Sequence, residues 1–164
     1  MSRLEPDEYF LNMARLVSMR GTCLRRRVGC VLVDMMNRVL ATGYNGTPRK
    51  TPHCGDVDCA CDGMRYRSGE GLDSCLAIHA EQNALLQCQQ PDFVNTAYVT
   101  VTPCVTCAKL LLNTNVHRVV AWAPYAHDVE TQKIFQSRGV LLDVWNDEQR
   151  KTSQSRLLTM LGAA

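Results

Sequence analysis

Residues Thr96 to Leu112 read TAYVTVTPCVTCAKLLL, a β-rich run that meets Pro103 and then continues into a segment of helical character. The first part, Thr96 to Thr102, predicts a strand, because Thr, Val and Tyr fit a pleated, half-buried surface. The second, Cys104 to Leu112, predicts a helix with proline at its beginning, where a missing N–H costs nothing. Cys104 and Cys107 are three residues apart, so on such a helix both sulfurs share a face and reach one ion. The positive end of the helix also favours their thiolate form.

Outward from this stretch, further elements follow by pattern. Ile78 to Gln89 carries Ala80, Ala84, Leu85 and Cys88 at helical spacing, which predicts a helix whose first turn holds His79 and Glu81. Val116 to Trp122 predicts a strand, Val129 to Arg138 a helix stopped by Gly139, and Val140 to Trp145 a last strand. This alternation implies parallel crossovers in an α/β sheet. Upstream, Pro6 to Met19 predicts an amphipathic helix that presents Tyr9, Phe10, Met13, Leu16 and Val17 and ends at Gly21. Val28 to Asp34 and Arg38 to Tyr44 then form an antiparallel hairpin around Met35, Met36 and Asn37. From Asn45 to Asp73 there are seven Gly and Pro residues and no sustained period, a loop too long to be structureless unless something pins it. From Asp147 a terminal helix offers Leu157, Leu158 and Leu161 for docking.

Composition narrows the classes. The chain of 164 residues is 46% hydrophobic and reads as one domain with one core. Eighteen Lys and Arg against 16 Asp and Glu leave a formal charge of +2, too little for a general nucleic-acid footprint. With three Phe and two Trp there is little aromatic surface for tracking a strand, so a long nucleic acid is not the expected partner. No run of about 18 apolar residues suggests a membrane span, and no signal-like segment opens the chain. Nine cysteines in such a chain favour reduced thiols and metal ligation, and a cytoplasmic location, in the host cytoplasm if the source is viral.

His79, Cys104 and Cys107 supply one imidazole and two thiolates, which leaves a fourth zinc position for water, whereas a structural zinc site closes with four protein ligands. Glu81 stands beside that open position and suits a general acid and base that moves protons during attack on an amidine-like carbon such as C4 of cytosine. His-x-Glu with Pro-Cys-x-x-Cys is the pattern of zinc-dependent nucleobase deamination. The competing interpretation, a structural zinc-binding module that uses both cysteine groups, predicts no ammonia release and leaves the placement of Glu81 unexplained.

The two motifs, His79-Ala80-Glu81-Gln82-Asn83-Ala84 and Pro103-Cys104-Val105-Thr106-Cys107, resemble the cytidine deaminase-like superfamily. With Thr42-Gly43-Tyr44-Asn45-Gly46-Thr47-Pro48 upstream, the chain is similar to the deoxycytidylate (dCMP) deaminase family from about Tyr9 to Val144. The resemblance implies an α/β fold, a three-layer α/β/α sandwich with a five-stranded mixed sheet, and conversion of dCMP to dUMP and ammonia for thymidylate synthesis. It makes His79, Cys104 and Cys107 the ligands of a catalytic Zn2+ and Glu81 the proton shuttle. The backbone beside Ala80 is expected at the pyrimidine edge, Asn45 at the sugar and Tyr125 against the substrate. Arg25, Arg26 and Arg27 are candidates for its phosphate, since guanidinium matches phosphate oxygens in bidentate fashion. Gly43, Tyr44, Asn45 and Gly46 are expected to couple the site to a regulatory nucleotide.

The same resemblance implies activation by dCTP, inhibition by dTTP, a possible Mg2+ accompanying a triphosphate effector, and a homo-oligomer, commonly a hexamer. It also implies a second, structural zinc on Cys23, Cys54, Cys59 and Cys75, with Cys61 or His53 as rival ligands, in a Cys-rich insertion at about 45–75 within one deaminase domain spanning 1–164. Cys30 and Cys88 read as small core residues. Another deaminase substrate, such as dCTP, deoxycytidine or a base in nucleic acid, is the alternative within the same chemistry.

Overall fold

A computed structural model describes residues 3–56, 75–126 and 128–162; Cys59, Cys61 and the rest of the middle of the cysteine-rich insertion lie outside them. The elements run α1 (Pro6–Ser18), β1 (Gly29–Val33), β2 (Val39–Tyr44), α2 (Ala80–Gln87), β3 (Thr96–Val99), α3 (Val105–Leu111), β4 (Arg118–Ala121), α4 (Asp128–Gln136), β5 (Leu141–Val144) and α5 (Asp147–Met160). The strands form one sheet in the order β2-β1-β3-β4-β5. The β1–β2 and β1–β3 pairs are antiparallel, and β3, β4 and β5 are parallel. The expected five-stranded mixed sheet and hairpin are therefore both present. Asn37 closes the hairpin with a positive φ of 59°, and the Asp34 carboxylate accepts from the backbone N–H groups of Met36 and Arg38, each at 2.9 Å.

Every residue of β1 is buried, because both sheet faces are covered. Alternation along the strand sends Cys30 and Leu32 to a core shared with Ala80, Ala84, Ala108, Leu111 and Phe135, and Val31 and Val33 to one shared with Phe10, Leu11, Ala14 and Trp145. Helices α2, α3 and α4 thus lie on one face and α1 on the other.

Two expectations need correction. On α1 the buried stripe is Phe10, Leu11 and Ala14, while Tyr9 and Leu16 are exposed. The helix sits so close to β1 that a Cβ at Gly29 would lie 2.1 Å from the Ala14 carbonyl oxygen. That approach selects the face carrying a small residue over the face with the larger side chains. On α5, Leu158 and Leu161 are exposed, and the helix meets α1 through polar contacts instead. Asn12 Nδ2 donates to Ser153 Oγ at 3.1 Å and Arg156 Nη1 to Glu8 Oε2 at 2.6 Å.

Candidate active site

Two helix N-termini meet at one edge of the sheet. His79 and Cys104 are the N-cap residues of α2 and α3, one position outside the helices that the sequence pattern placed them in. An N-cap residue has extended backbone and points its side chain across the helix mouth, so both ligands face the same space. The His79 N–H donates to Gln82 Oε1 at 2.8 Å, half of a capping box that locks the ligand's backbone. Cys107 follows in the first turn of α3.

His79 Nδ1 lies 3.4 Å from Cys104 Sγ and 3.3 Å from Cys107 Sγ. A tetrahedral zinc with its usual bond lengths places nitrogen and sulfur about 3.6 Å apart, so the donor set fits that ion with little adjustment. Among the described residues this is the one trio of His, Cys, Asp or Glu side chains that converges within 4.8 Å. Cys107 is fully buried and Cys104 nearly so. The Cys104 thiol is drawn down to about 4, first by a hydrogen bond from Cys107 and then by His79, with burial opposing. Cys107 is pushed up by donating that bond and by burial. His79 is raised chiefly by its hydrogen bond with Cys104. One thiol already in its ligating form is what a metal-ready pair provides.

Glu81 is only 4% exposed, one turn position from the ligands. Burial raises its carboxyl above the ordinary range, against the lowering effects of its own backbone N–H and the charge of His79. Behind it stands Cys30, whose thiol is pushed up by burial and by the charge of Glu81. Ala80, beside the catalytic candidate, is fully buried.

The Gly43–Gly46 segment joins this site to the arginines. A Cβ at Gly43 would lie 2.2 Å from the Ala80 oxygen and 2.3 Å from the Ala84 nitrogen, so only glycine lets β2 pack against α2. Asn83 Nδ2 donates to the Tyr44 carbonyl at 2.8 Å. Gly46 pairs with Ile78 through two backbone hydrogen bonds of 3.1 and 2.9 Å. Asn45 turns the other way, toward residues 22–28, and both ends of its carboxamide bond that segment's backbone.

Arg25, Arg26 and Arg27 line a cleft of about 440 Å³ together with Thr22, Cys23, His53, Cys54 and Asp56. The Arg26 guanidinium lies over the Tyr125 ring, 5.6 Å from its centre. Tyr125 belongs to the turn after β4, which is tied to the zinc-ligand loop because Thr102 N–H donates to the Ala123 carbonyl at 3.0 Å. Its own N–H donates to Asp128 Oδ1 at 2.8 Å. The proposed structural-zinc cysteines are only partly brought together. Cys23 and Cys54 share the cleft with His53, Cys75 is half-buried elsewhere in the same chain region, and Cys59 lies outside the described residues.

Sequence reasoning missed Thr131. This residue of α4 is fully buried, and its hydroxyl donates to the Pro103 carbonyl at 3.0 Å, which holds the turn before Cys104. A threonine inside a polar helix gives no periodic signal. Gln82 was legible as the third residue after an N-cap.

Comparison with known proteins agrees with this geometry. Residues 4–123 match the model of the cytidine and deoxycytidylate deaminase zinc-binding region. A deoxycytidylate deaminase of Mycobacterium phage D29 is 41% identical over 125 residues, covering 73% of this chain and 96% of that protein. The deoxycytidylate deaminase of Schizosaccharomyces pombe is 42% identical over 138 residues, covering 83% of this chain, and the chain spans 42% of that longer protein. The fold is that of the dCMP deaminase from cyanophage S-TIM5 solved with dCMP and dUMP, with a TM-score of 0.69, 24% identity and coverage of 88% of this chain and 100% of that one. Two ligand-bearing helix mouths, a buried glutamate between them and matches covering most of the chain lead to one assignment: the chain belongs to the cytidine and deoxycytidylate deaminase family.

Proposed function

We propose that the protein hydrolyses dCMP to dUMP and ammonia. The carrying observation is the buried Glu81 beside the His79, Cys104 and Cys107 trio. Those three residues would hold zinc, which supplies a Lewis acid that brings water to reactivity near neutral pH. Burial raises the affinity of Glu81 for a proton, so the carboxylate can take one from the attacking water. It then gives a proton to N3 of the cytosine ring and another to the amino group leaving C4. The Arg25–Arg27 cleft suits a 5′-phosphate.

The choice of dCMP rests on relatives named deoxycytidylate deaminase, including one of nearly the same length. An ammonia-release assay with dCMP, dCTP, deoxycytidine and cytidine tests it, and fastest turnover of another nucleotide would replace the substrate. By family resemblance the proposal extends to a cytoplasmic homohexamer activated by dCTP with Mg2+ and inhibited by dTTP, feeding thymidylate synthesis. The proposal also includes a structural zinc in the insertion, supported by the cleft that Cys23, Cys54 and His53 share. Metal analysis then gives two zinc ions per chain, and one ion per chain refutes the second site.

A further inference from the structure

Asn45 bonds both ends of the segment that carries the three arginines. Its carbonyl oxygen accepts from the Thr22 N–H at 3.1 Å, and its own N–H donates to the Val28 carbonyl at 3.2 Å. Its side chain adds two more bonds: Nδ2 donates to the Arg26 carbonyl at 2.7 Å, and Oδ1 accepts from the Val28 N–H at 2.8 Å. The residue is 8% exposed. A Cβ at Gly21 would approach Asn45 Oδ1 to 2.7 Å, so the carboxamide is also closed in from that side. A side chain whose oxygen and nitrogen are both spent on backbone is built to hold that backbone.

What it holds is the support of Arg26, whose guanidinium lies over Tyr125. Tyr125 is tied through Ala123 to Thr102, two residues before Cys104. The chain of contacts runs from Asn45 to the Arg26 backbone, from the Arg26 head to Tyr125, and from the Tyr125 turn to the ligand loop. We infer that Asn45 is a positioning residue: it fixes the 22–28 segment so that its arginines meet a 5′-phosphate, and it sets the preference for a nucleotide over the matching nucleoside without touching either. This rests on the proposed function for the identity of the ligand. The physical reason is that a guanidinium on a short, unrestrained loop must be ordered upon binding, whereas one held by four backbone bonds from a buried residue is ordered beforehand.

The test compares dUMP with deoxyuridine by calorimetry on the zinc-loaded protein, so that the readout is binding and needs no turnover. Wild type is expected to favour dUMP. Asn45→Ala is expected to lower that preference by roughly tenfold or more, the scale of one charge-assisted contact, with deoxyuridine affinity and zinc content unchanged. Asn45→Asp keeps the acceptor for Val28 and loses the donor for Arg26, so it is expected to show the same loss, and it decides the matter if the alanine variant fails to fold. In combination with Arg26→Ala, either Asn45 substitution should add nothing to the loss from Arg26→Ala alone. Equal weakening of dUMP and deoxyuridine would mean direct contact with the nucleoside and would overturn the inference, as would an unchanged preference or additive losses. Absence of dCMP turnover in wild type would overturn the functional reading instead, and the binding comparison would still decide the role of Asn45.

Discussion

His79 Nδ1 and Cys107 Sγ stand 3.3 Å apart across the mouths of two helices. That spacing is set by the N-cap of α2 and the first turn of α3, so the metal only has to complete a gap the backbone has already made. Removing a ligand and removing the proton carrier should therefore separate cleanly. Cys107→Ala is expected to lose the catalytic zinc and all turnover. Glu81→Gln is expected to keep zinc by metal analysis while kcat falls about 10²- to 10⁴-fold, the usual contribution of a general acid and base. Near-normal turnover by Glu81→Gln would sink the proton-carrier role.

Gly43→Ala should be among the more damaging single-methyl additions in the sheet. Its Cβ would meet backbone atoms of α2 at 2.2 and 2.3 Å, and backbone cannot step aside as a flexible side chain does. Overpacking of this kind costs about 1–3 kcal/mol, and more where backbone must move. Urea denaturation is expected to show the loss, with a fall in activity in the surviving folded protein because α2 carries His79 and Glu81. An unchanged midpoint would mean that β2 and α2 separate freely.

Much of this arrangement was legible beforehand because it rests on local chemistry. Period, proline and the Cys-x-x-Cys spacing placed the strand before Pro103 and the helix after it. The ligand trio followed from residue types alone. The one-position error at His79 and Cys104 has a physical basis: a ligand that must aim across a helix mouth sits at the N-cap, while periodicity reports the helix interior. The stripe on α1 was misread because the close approach at Gly29 depends on which partner the helix meets, and that is a tertiary fact. Asn45 was placed at the sugar by resemblance, yet its hydrogen bonds run to residues 26 and 28, some 20 positions earlier, and no local pattern encodes such a pairing.

Thr131→Val should loosen the zinc-ligand turn without altering any ligand. Valine keeps the shape of threonine and removes the hydroxyl, so the Pro103 carbonyl loses a donor in a fully buried position. An unsatisfied buried group costs about 1–3 kcal/mol. Because Pro103 precedes Cys104, part of that cost falls on metal retention, and groups that support ligands typically change metal affinity about 10- to 100-fold when removed. Competition with a chelator measures it. Equal zinc affinity in the variant and wild type would confine Thr131 to core packing.

Tyr98 supplies a pH dependence at the opposite face of the sheet. Its hydroxyl donates to Asp7 Oδ1 at 2.9 Å, and the same carboxylate takes Arg118 Nη1 and Nη2 at 2.9 and 2.8 Å. Burial holds the Tyr98 phenol well above its ordinary range, and the charge of Asp7 and the hydrogen bond to it push the same way, with Arg118 opposing. In the unfolded chain the phenol ionises near pH 10, so above about that pH the folded protein binds more protons than the unfolded one. Stability from this group is therefore fully present below about pH 10 and is lost as pH rises from there toward the folded pKa. Tyr98→Phe removes the titrating group and its bond to Asp7. The variant should be weaker by about 1 kcal/mol near neutrality and should lose stability less steeply than wild type between about pH 9.5 and 11. Denaturant midpoints across that range give both quantities. Parallel slopes for the two proteins would show that Tyr98 titrates as it does in the unfolded chain, and that the Asp7 contact does not hold the proton.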